Sequence, residues 1–209
     1  PNPSKAKAMS TIHPHNRRFV RNFVIILLLS LSLWLTTSML LPSSTAAVTP
    51  VCRDRLQNGN FETGNISPWV QTTSGSYSLL SDLNVHTGGW AAWLGGVDDA
   101  DDDLYQEVTI PAGSTSATLS FWWAAETQEQ AHPNDFLKVT VRDRTNQVLT
   151  ELQTISDADA TDQAVWHLAT HSLNAYRGQT IRIGFRAINN FAGPTSFYVD
   201  DVALEICSL

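Results

Sequence analysis

The chain has 209 residues, 43% of them hydrophobic, and its formal net charge at pH 7 is −7. All twenty acidic residues follow Ala47 but only eight of the thirteen basic ones do, so residues 48–209 carry a formal charge of −12. So acidic a segment repels phosphate backbones, which argues against a nucleic-acid partner, and it favours solubility outside the cell and leaves carboxylates available for cations.

The first element is a secretory signal, predicted over residues 1–47. Basic residues at 17–21 precede a long apolar run at 23–41, and a small-residue stretch follows it up to Ala47. A basic leader, an apolar segment and a small-residue exit are the parts of a cleaved signal peptide. The sequence therefore predicts an exported, extracellular protein.

The length of the apolar run leaves a second possibility open. It approaches the length of a membrane span, so an anchor through residues 19–41 is the alternative, and only then would the protein contact a membrane. Met9 is the expected initiator, which would place residues 1–8 upstream of the true start. Residues 48–209 have the length of one domain with a full-sized core.

Two cysteines, Cys52 and Cys207, bracket that domain. In an exported protein the economical interpretation is one disulfide that ties the first strand to the last. Such a disulfide also predicts adjacent termini. Two separate free thiols are the alternative.

Short runs of alternating apolar and polar residues recur from Cys52 onward between turn signals, and no long run has the helical period. This pattern predicts an all-β fold, a two-sheet antiparallel β-sandwich of the jelly-roll type with roughly ten strands. The clearest strands, with apolar residues on one side, are predicted at 117–126, 136–142 and 180–188. Less clear strands are predicted at 77–81, 91–95, 104–110, 148–155 and 164–169. A short helical turn is predicted at 173–177.

A final strand at 196–205 contains the adjacent pair Asp200 and Asp201. Successive side chains of a strand point to opposite faces, so one of the two carboxylates should share a face with apolar residues. A carboxylate aimed toward a core is costly unless it is paired or binds a metal. The pattern therefore predicts a partner for one aspartate.

Several segments in order resemble the galactose-binding-like jelly rolls of carbohydrate-binding modules in secreted bacterial proteins. The resemblance spans 56–205 and implies that residues 56–64 form the opening strand. It also implies a non-catalytic module that binds a polysaccharide or glycan surface. A separately encoded secreted enzyme would be a further partner. The matching segments are LQNGNFETG at 56–64, SPW at 67–69, AWLGG at 92–96, LYQEVTIP at 104–111, LSFWW at 119–123 and SFYVDDV at 196–202.

The same resemblance implies a structural calcium ion (Ca²⁺) where the opening segment meets the final strand. It places Glu62 beside Asp200 or Asp201, and Ca²⁺ takes six to eight oxygen ligands of this kind. The alternative is a carboxylate that accepts backbone amide hydrogen bonds or pairs with Arg53 or Arg55.

A second acidic feature is the run at 98–103. Its alternate spacing is that of a calcium loop of the EF-hand type, but Leu104 and Ile110 stand where that loop needs its glycine and its glutamate. A solvated turn is therefore expected, because like charges prefer water. A weak second calcium site is the alternative.

Candidate sugar contacts follow from the predicted faces. Alternation places Trp122 opposite Phe121 and Trp123, and an exposed flat aromatic is what sugar rings stack on. Trp90 follows two glycines and is expected at a loop tip. The outward cations Lys138, Arg182 and Arg186 are expected to line the same surface, although ordinary solvent-facing roles are the alternative.

The sequence carries no recognisable catalytic constellation. It lacks the Gly-x-Ser-x-Gly and His-Glu-x-x-His motifs, and His167 and His171 lie in a β-like segment, where their spacing does not converge. A non-catalytic protein is therefore expected. The competing hypotheses are an adhesion or spacer sandwich similar to MAM domains, and a jelly-roll hydrolase or lyase with paired carboxylates in a groove.

Overall fold

The structure is a computed structural model that describes residues 47–131 and 133–209. The signal predicted over 1–47 lies outside the described residues except for Ala47, and so does the alternative anchor at 19–41. Within the described residues, no helix is both long enough and apolar enough to cross a membrane.

Within the described part of the chain, eleven strands form two antiparallel sheets. In chain order they are β1 (Val51–Asp54), β2 (Val70–Thr72), β3 (Leu80–Ser81), β4 (Ala91–Gly95), β5 (Asp101–Thr109), β6 (Ser114–Thr127), β7 (Phe136–Arg142), β8 (Val148–Ser156), β9 (His167–Ser172), β10 (Thr180–Ile188) and β11 (Thr195–Ser208). The six-stranded sheet has the order β3-β4-β11-β6-β9 with β1 also paired to β11, and the five-stranded sheet has the order β2-β5-β10-β7-β8. The two-sheet sandwich is confirmed.

Alternating side chains of both sheets form the core between them. Phe121 of β6 and Phe185 of β10 are fully buried, and their rings meet edge to face with centroids 5.2 Å apart. Trp69 packs on Phe185 from the loop before β2, and its indole N–H donates to the carbonyl of Asn58 at 3.0 Å. This apolar layer fixes which side chains of each strand point to solvent.

The predicted strand at 56–64 is wrong. Asn58 and Phe61 adopt positive φ angles of 50° and 58°, which no regular strand allows, and the side-chain amide of Asn58 donates to the carbonyls of Asn65 and Ser67. The segment is therefore a loop of turns, and the first strand is Val51–Asp54.

Other boundaries differ by a few residues. The strands at 136–142, 180–188 and 91–95 lie as predicted, whereas the strand expected at 164–169 occupies His167–Ser172 and the one expected at 77–81 shrinks to Leu80–Ser81. The predicted helical turn is the 3-10 helix Asn174–Tyr176, and a second 3-10 helix spans Asp157–Asp159.

The termini of the domain meet at a disulfide. Strand β1 pairs with the end of β11 so that Cys52 lies opposite Cys207, and the two sulfurs are bonded at 2.05 Å. The predicted disulfide and the predicted adjacency of the termini are both confirmed.

The closing strand β11 resolves the conflict of its paired aspartates by a β-bulge. Val199 faces the core before the bulge and Val202 faces it afterwards, and both are buried. Between them Asp201 adopts a φ of 47° and the register with β6 shifts between Asp200 and Ala203. The partner predicted for one aspartate is found at Asp200, which is fully buried and accepts three backbone N–H groups, but neither carboxylate faces the layer between the sheets, because the bulge interrupts the alternation.

Candidate functional site

An open groove crosses the outer face of the five-stranded sheet. It has a volume of about 560 Å³, and it is lined by polar and charged side chains that alternate with the core residues of β5, β7, β8 and β10. Two of the predicted ligand residues, Lys138 and Arg186, lie in this lining. The other lining residues are Thr72, Asp101, Asp103, Thr140, Arg142, Asn146, Val148, Glu151 and Ile188.

The floor of the groove is an ion pair between Arg142 of β7 and Asp103 of β5. Both terminal nitrogens of the guanidinium donate to the carboxylate, at 2.8 and 2.7 Å, and Nε donates to the hydroxyl of Thr140 at 2.8 Å. The side chains of Arg142 and Asp103 are only 6% and 16% exposed. A forked, largely buried pair of this kind holds its geometry more firmly than a surface pair.

Gly184 of β10 makes room for that pair. Strand β10 lies between β5 and β7, so the Arg142 side chain must cross it to reach Asp103. A Cβ atom at position 184 would lie 2.6 Å from the guanidinium carbon, closer than real contacts allow. Any larger residue at position 184 would therefore force the Arg142 side chain to shift, and the glycine allows this close approach in the middle of a strand.

Two more ion pairs lie at the rims of the groove. Arg186 makes two bonds to Asp101, at 2.8 and 2.7 Å, and Lys138 bonds Glu151 at 3.2 Å. All four of these side chains are between 42% and 52% exposed. The hydrogen bond from Arg186 lowers the pKa of Asp101, so the carboxylate stays ionised at neutral pH.

Arg182 lies further along β10. Its guanidinium carbon lies 4.7 Å from the centroid of the Tyr105 ring, and its Nε donates to Glu107 at 3.3 Å. The predicted outward direction of Arg182 is right, but the guanidinium covers the ring that a sugar would need for stacking.

Trp122 and Trp90 lie away from the groove, because they belong to the six-stranded sheet and its loops. Trp122 is partly buried, and the imidazole of His86 stacks on it with centroids 4.0 Å apart. Trp90 is partly buried against the main core, so the expected loop tip is wrong. The five predicted ligand residues are therefore not brought to one surface.

A second small apolar cluster covers the outer face of the six-stranded sheet. Trp93 and Trp166 are partly buried there against Tyr198, whose hydroxyl donates to Glu126 at 2.7 Å. The segment around Ala164 closes the cluster from outside the sheet. Trp93 and Trp166 therefore pack on this face and not between the sheets.

Asp200 and Asp201 of β11 accept hydrogen bonds from the loop before β4 and thereby hold it in place. Asp200 is fully buried, and its carboxylate accepts the backbone N–H groups of His86 at 3.0 Å, Thr87 at 3.2 Å and Asp201 at 2.7 Å. Asp201 lies 2.7 Å from Nδ1 of His86 and accepts the Thr87 hydroxyl. Burial raises the pKa of Asp200 to about 6, against the opposing effect of these amide donors.

Glu62 holds the other end of the same loop. Its Oε1 accepts the backbone N–H groups of Gly89 at 2.9 Å and Trp90 at 2.8 Å. Of the three carboxylates predicted as calcium ligands, Glu62 and Asp200 accept backbone N–H groups of this loop, whereas Asp201 accepts the Thr87 hydroxyl and contacts the His86 ring. That arrangement corresponds to the alternative in which a carboxylate accepts backbone amides.

The structure does not assemble the predicted calcium ligands. Across residues 47–131 and 133–209, three ligand atoms from His, Cys, Asp or Glu approach within 4.8 Å of one another only at Cys52, Glu205 and Cys207, where both cysteines are in the disulfide. Glu62, Asp200 and Asp201 do not form such a group. Calcium at this place stays a prediction.

The acidic run at 98–103 is only in part the expected solvated turn. Asp98 and Asp99 are exposed, but Asp101 begins β5 and the next two aspartates are used inside the fold. Asp102 is fully buried and accepts the hydroxyl of Tyr77 and the N–H of Gly95, and its burial raises its pKa. Asp101, Asp102 and Asp103 therefore belong to β5 and do not lie in a solvated turn, contrary to the expectation.

Sequence reasoning missed the carboxylates of the groove and the role of Arg142. Arg142 occupies an outward position of the correctly phased strand at 136–142, so its direction could be predicted, whereas Asp101 and Asp103 lie in β5 before the strand predicted at 104–110, in the run expected to be a solvated turn. Which of them meet depends on the order β5-β10-β7, which strand patterns alone do not give. A glycine at an outward position of a central strand was the available signal.

No protein-family model matches the sequence, and no curated protein sequence is significantly similar to it. Two solved structures share its fold with a TM-score of 0.55. One is the carbohydrate-binding module TmCBM61 in complex with β-1,4-galactotriose, at 22% identity over 73% of this chain and 97% of that one. The other is the K3 cleaved adhesin domain of Lys-gingipain from Porphyromonas gingivalis, at 18% identity over 74% of this chain and 99% of that one. The chain therefore has the β-sandwich fold of carbohydrate-binding modules that its motifs predicted.

Proposed function

We propose that residues 48–209 form a secreted, non-catalytic module that binds carbohydrate in the groove of the five-stranded sheet. The observation that carries this proposal is the convergence of paired cations and carboxylates in an open cavity of about 560 Å³. Sugar hydroxyls both donate and accept hydrogen bonds, so they suit a surface that offers guanidinium donors beside carboxylate acceptors. The volume lies within the usual range of ligand sites, roughly 300–1,000 Å³.

Two further observations support carbohydrate as the ligand class. The lining side chains are fixed by rigid strands and by ion pairs, so that little ordering is needed when a ligand binds. The fold is shared with a module whose structure contains β-1,4-galactotriose. Export follows from the predicted signal, and the disulfide between Cys52 and Cys207 suits an oxidising compartment.

Protein adhesion is the second candidate function. Trp122 is covered by His86 and does not form an open aromatic platform. The K3 adhesin domain also shares the fold at a TM-score of 0.55. A module of this second kind would present its surface to a protein and bind no polysaccharide.

Retardation in native gels that contain a polysaccharide separates the two functions. The panel consists of galactan, arabinogalactan, xylan, mannan and mixed-linkage β-glucan. We expect at least one polymer to retard the protein, and the double variant Lys138→Ala and Arg186→Ala to run freely. Arg144→Ala is the control, since its side chain is 71% exposed and lies outside the groove lining. Free migration of the wild-type protein in every gel would exclude the carbohydrate function and favour adhesion.

We also propose that calcium braces the domain beside the closing strand. A cavity of about 360 Å³ there is lined by oxygen-bearing side chains of Asp54, Asn58, Asn60 and Asp201, and Ca²⁺ prefers such ligands. Of the predicted ligand set, only Asp201 lines this cavity. Thermal unfolding with EDTA, and again after calcium is restored, tests the proposal. A melting temperature that EDTA leaves unchanged would refute it.

A further inference from the structure

Each cation in the lining of the groove is paired with a carboxylate of the same lining. Of the lining residues, three are basic and three are acidic, so the groove has no formal net charge. The pairs are Arg142 with Asp103, Arg186 with Asp101, and Lys138 with Glu151.

The pair at the floor is the least available to a charged ligand. Three nitrogens of Arg142 already donate to Asp103 and Thr140, and its side chain is 6% exposed. An anionic ligand that displaced Asp103 would leave a buried carboxylate without its partner, which is costly. The strand position of Gly184 keeps the guanidinium in this arrangement, because any larger side chain would occupy its place.

We infer that the groove selects uncharged oligosaccharides and rejects glycans that carry uronate or sulfate groups. This inference rests on the proposed function and names the substrate class of the same site. A neutral hydroxyl can accept from a guanidinium and donate to the adjacent carboxylate while the ion pair stays intact. A uronate has no unpaired cation to meet, and it faces three carboxylates in a domain of charge −12.

The test compares one neutral polymer with its own oxidised form. The neutral polysaccharide that retards the protein most strongly is oxidised at C6 to the uronate (for xylan, whose sugars have no C6, glucuronoxylan is the charged counterpart), and titration calorimetry measures both polymers at low and at high salt. We expect the wild-type protein to bind the neutral polymer at least about tenfold more tightly at low salt. High salt should reduce this ratio of affinities without abolishing it. Screening weakens the repulsion between the uronate and the groove, but it does not restore the hydroxyl contact that oxidation removes.

Asp101→Asn changes the charge of the groove with little effect on the fold. It leaves Arg186 unpaired at an exposed rim, where breaking an ion pair costs little stability. We expect it to shift the binding ratio toward the uronate polymer by about fivefold. Glu151→Gln, which frees Lys138, should act in the same direction. The control Asp82→Asn removes one negative charge from an exposed loop position outside the groove lining and should leave the ratio unchanged.

Three results would overturn the inference. They are equal binding of both polymers by the wild-type protein at low salt, a binding ratio that changes neither with salt nor with Asp101→Asn, and a shift of the ratio by Asp82→Asn as large as that by Asp101→Asn. The last result would assign the effect to net charge and not to the groove. Failure of the wild-type protein to bind any neutral polymer is a different outcome, since it overturns the proposed function itself.

Discussion

The imidazole of His86 stacks on the indole of Trp122, with ring centroids 4.0 Å apart and planes 18° apart. The same imidazole lies 2.7 Å from the carboxylate of Asp201, so the loop that carries His86 is held from both sides. Trp122 therefore packs against the protein's own loop. Because this contact covers Trp122, we place the proposed sugar site in the groove of the five-stranded sheet and not on the six-stranded sheet.

Trp122→Ala should reduce stability without selective loss of glycan binding. The substitution removes the stacking partner of His86 and leaves a cavity under the loop, at a cost of about 2 kcal/mol or more. Chemical denaturation measures this cost. The control is Leu168→Ala, on the strand position paired with Trp122, where the side chain is 56% exposed and the change should cost roughly 0.5 kcal/mol or less. Loss of binding in a Trp122→Ala protein that is still folded would contradict this assignment.

Gly184→Ala should displace Arg142 from Asp103. The added Cβ would lie 2.6 Å from the guanidinium carbon, so the side chain must leave its place above β10, at a cost of about 1–3 kcal/mol. Glycan binding should weaken in the same variant. Gly113→Ala is the matched control, since a Cβ there meets nothing within 4 Å and stability should be unchanged or slightly higher. Equal melting temperatures for the two variants would argue against the close approach.

The contribution of His171 to stability should fall as the pH falls through about 6.5, whereas Asp200, whose pKa burial raises to about 6, contributes in the opposite direction in the same pH range. Burial lowers the pKa of this imidazole, whose Nε2 lies 3.0 Å from the side-chain oxygen of Gln153 on the facing sheet. In that pH window the unfolded chain takes up a proton that the folded protein resists, so unfolding is favoured as acid is added. His171→Gln removes this loss, so the variant should gain stability relative to the wild-type protein as the pH is lowered from about 8 to about 5, as measured by thermal unfolding. An identical pH profile in the variant would show that other groups cause it.

Replacement of both cysteines by serine should destabilise the domain by about 3–5 kcal/mol, since the disulfide closes a loop of 155 residues. Strand β1 depends most on this bond, because it pairs with β11 alone. Denaturation of the double variant Cys52→Ser and Cys207→Ser, compared with the oxidised protein, measures the effect. A stability equal to that of the oxidised protein would mean that β1 is held by its hydrogen bonds alone.

Strand patterns predicted the sandwich well because its central strands alternate strictly. Residues 136–142 and 180–188 have apolar side chains at every second position, and both strands lie where they were expected. The disulfide followed from the count of cysteines in an exported chain. The loop at 56–64 was misassigned because its positive φ angles at Asn58 and Phe61 leave no mark in an alternation pattern.

The candidate site was harder to predict because its contacts join residues that are distant in sequence. The pair of Arg142 and Asp103 crosses a neighbouring strand at Gly184, where a larger side chain would force the guanidinium to move. Similarly, Asp200 is satisfied by a loop more than a hundred residues away, which a bulge at Asp201 allows it to reach. Alternation could give the direction of each side chain but not its partner.

The measurement that tests the location of the site most directly is a titration of isotopically labelled protein with oligosaccharides from the polymer that retards it, followed by amide NMR shifts. We expect the largest shifts in β5, β7 and β10, around Asp103, Lys138 and Arg186. Binding with shifts that centre on Trp122 and β9, while these three strands stay unperturbed, would contradict the proposed groove.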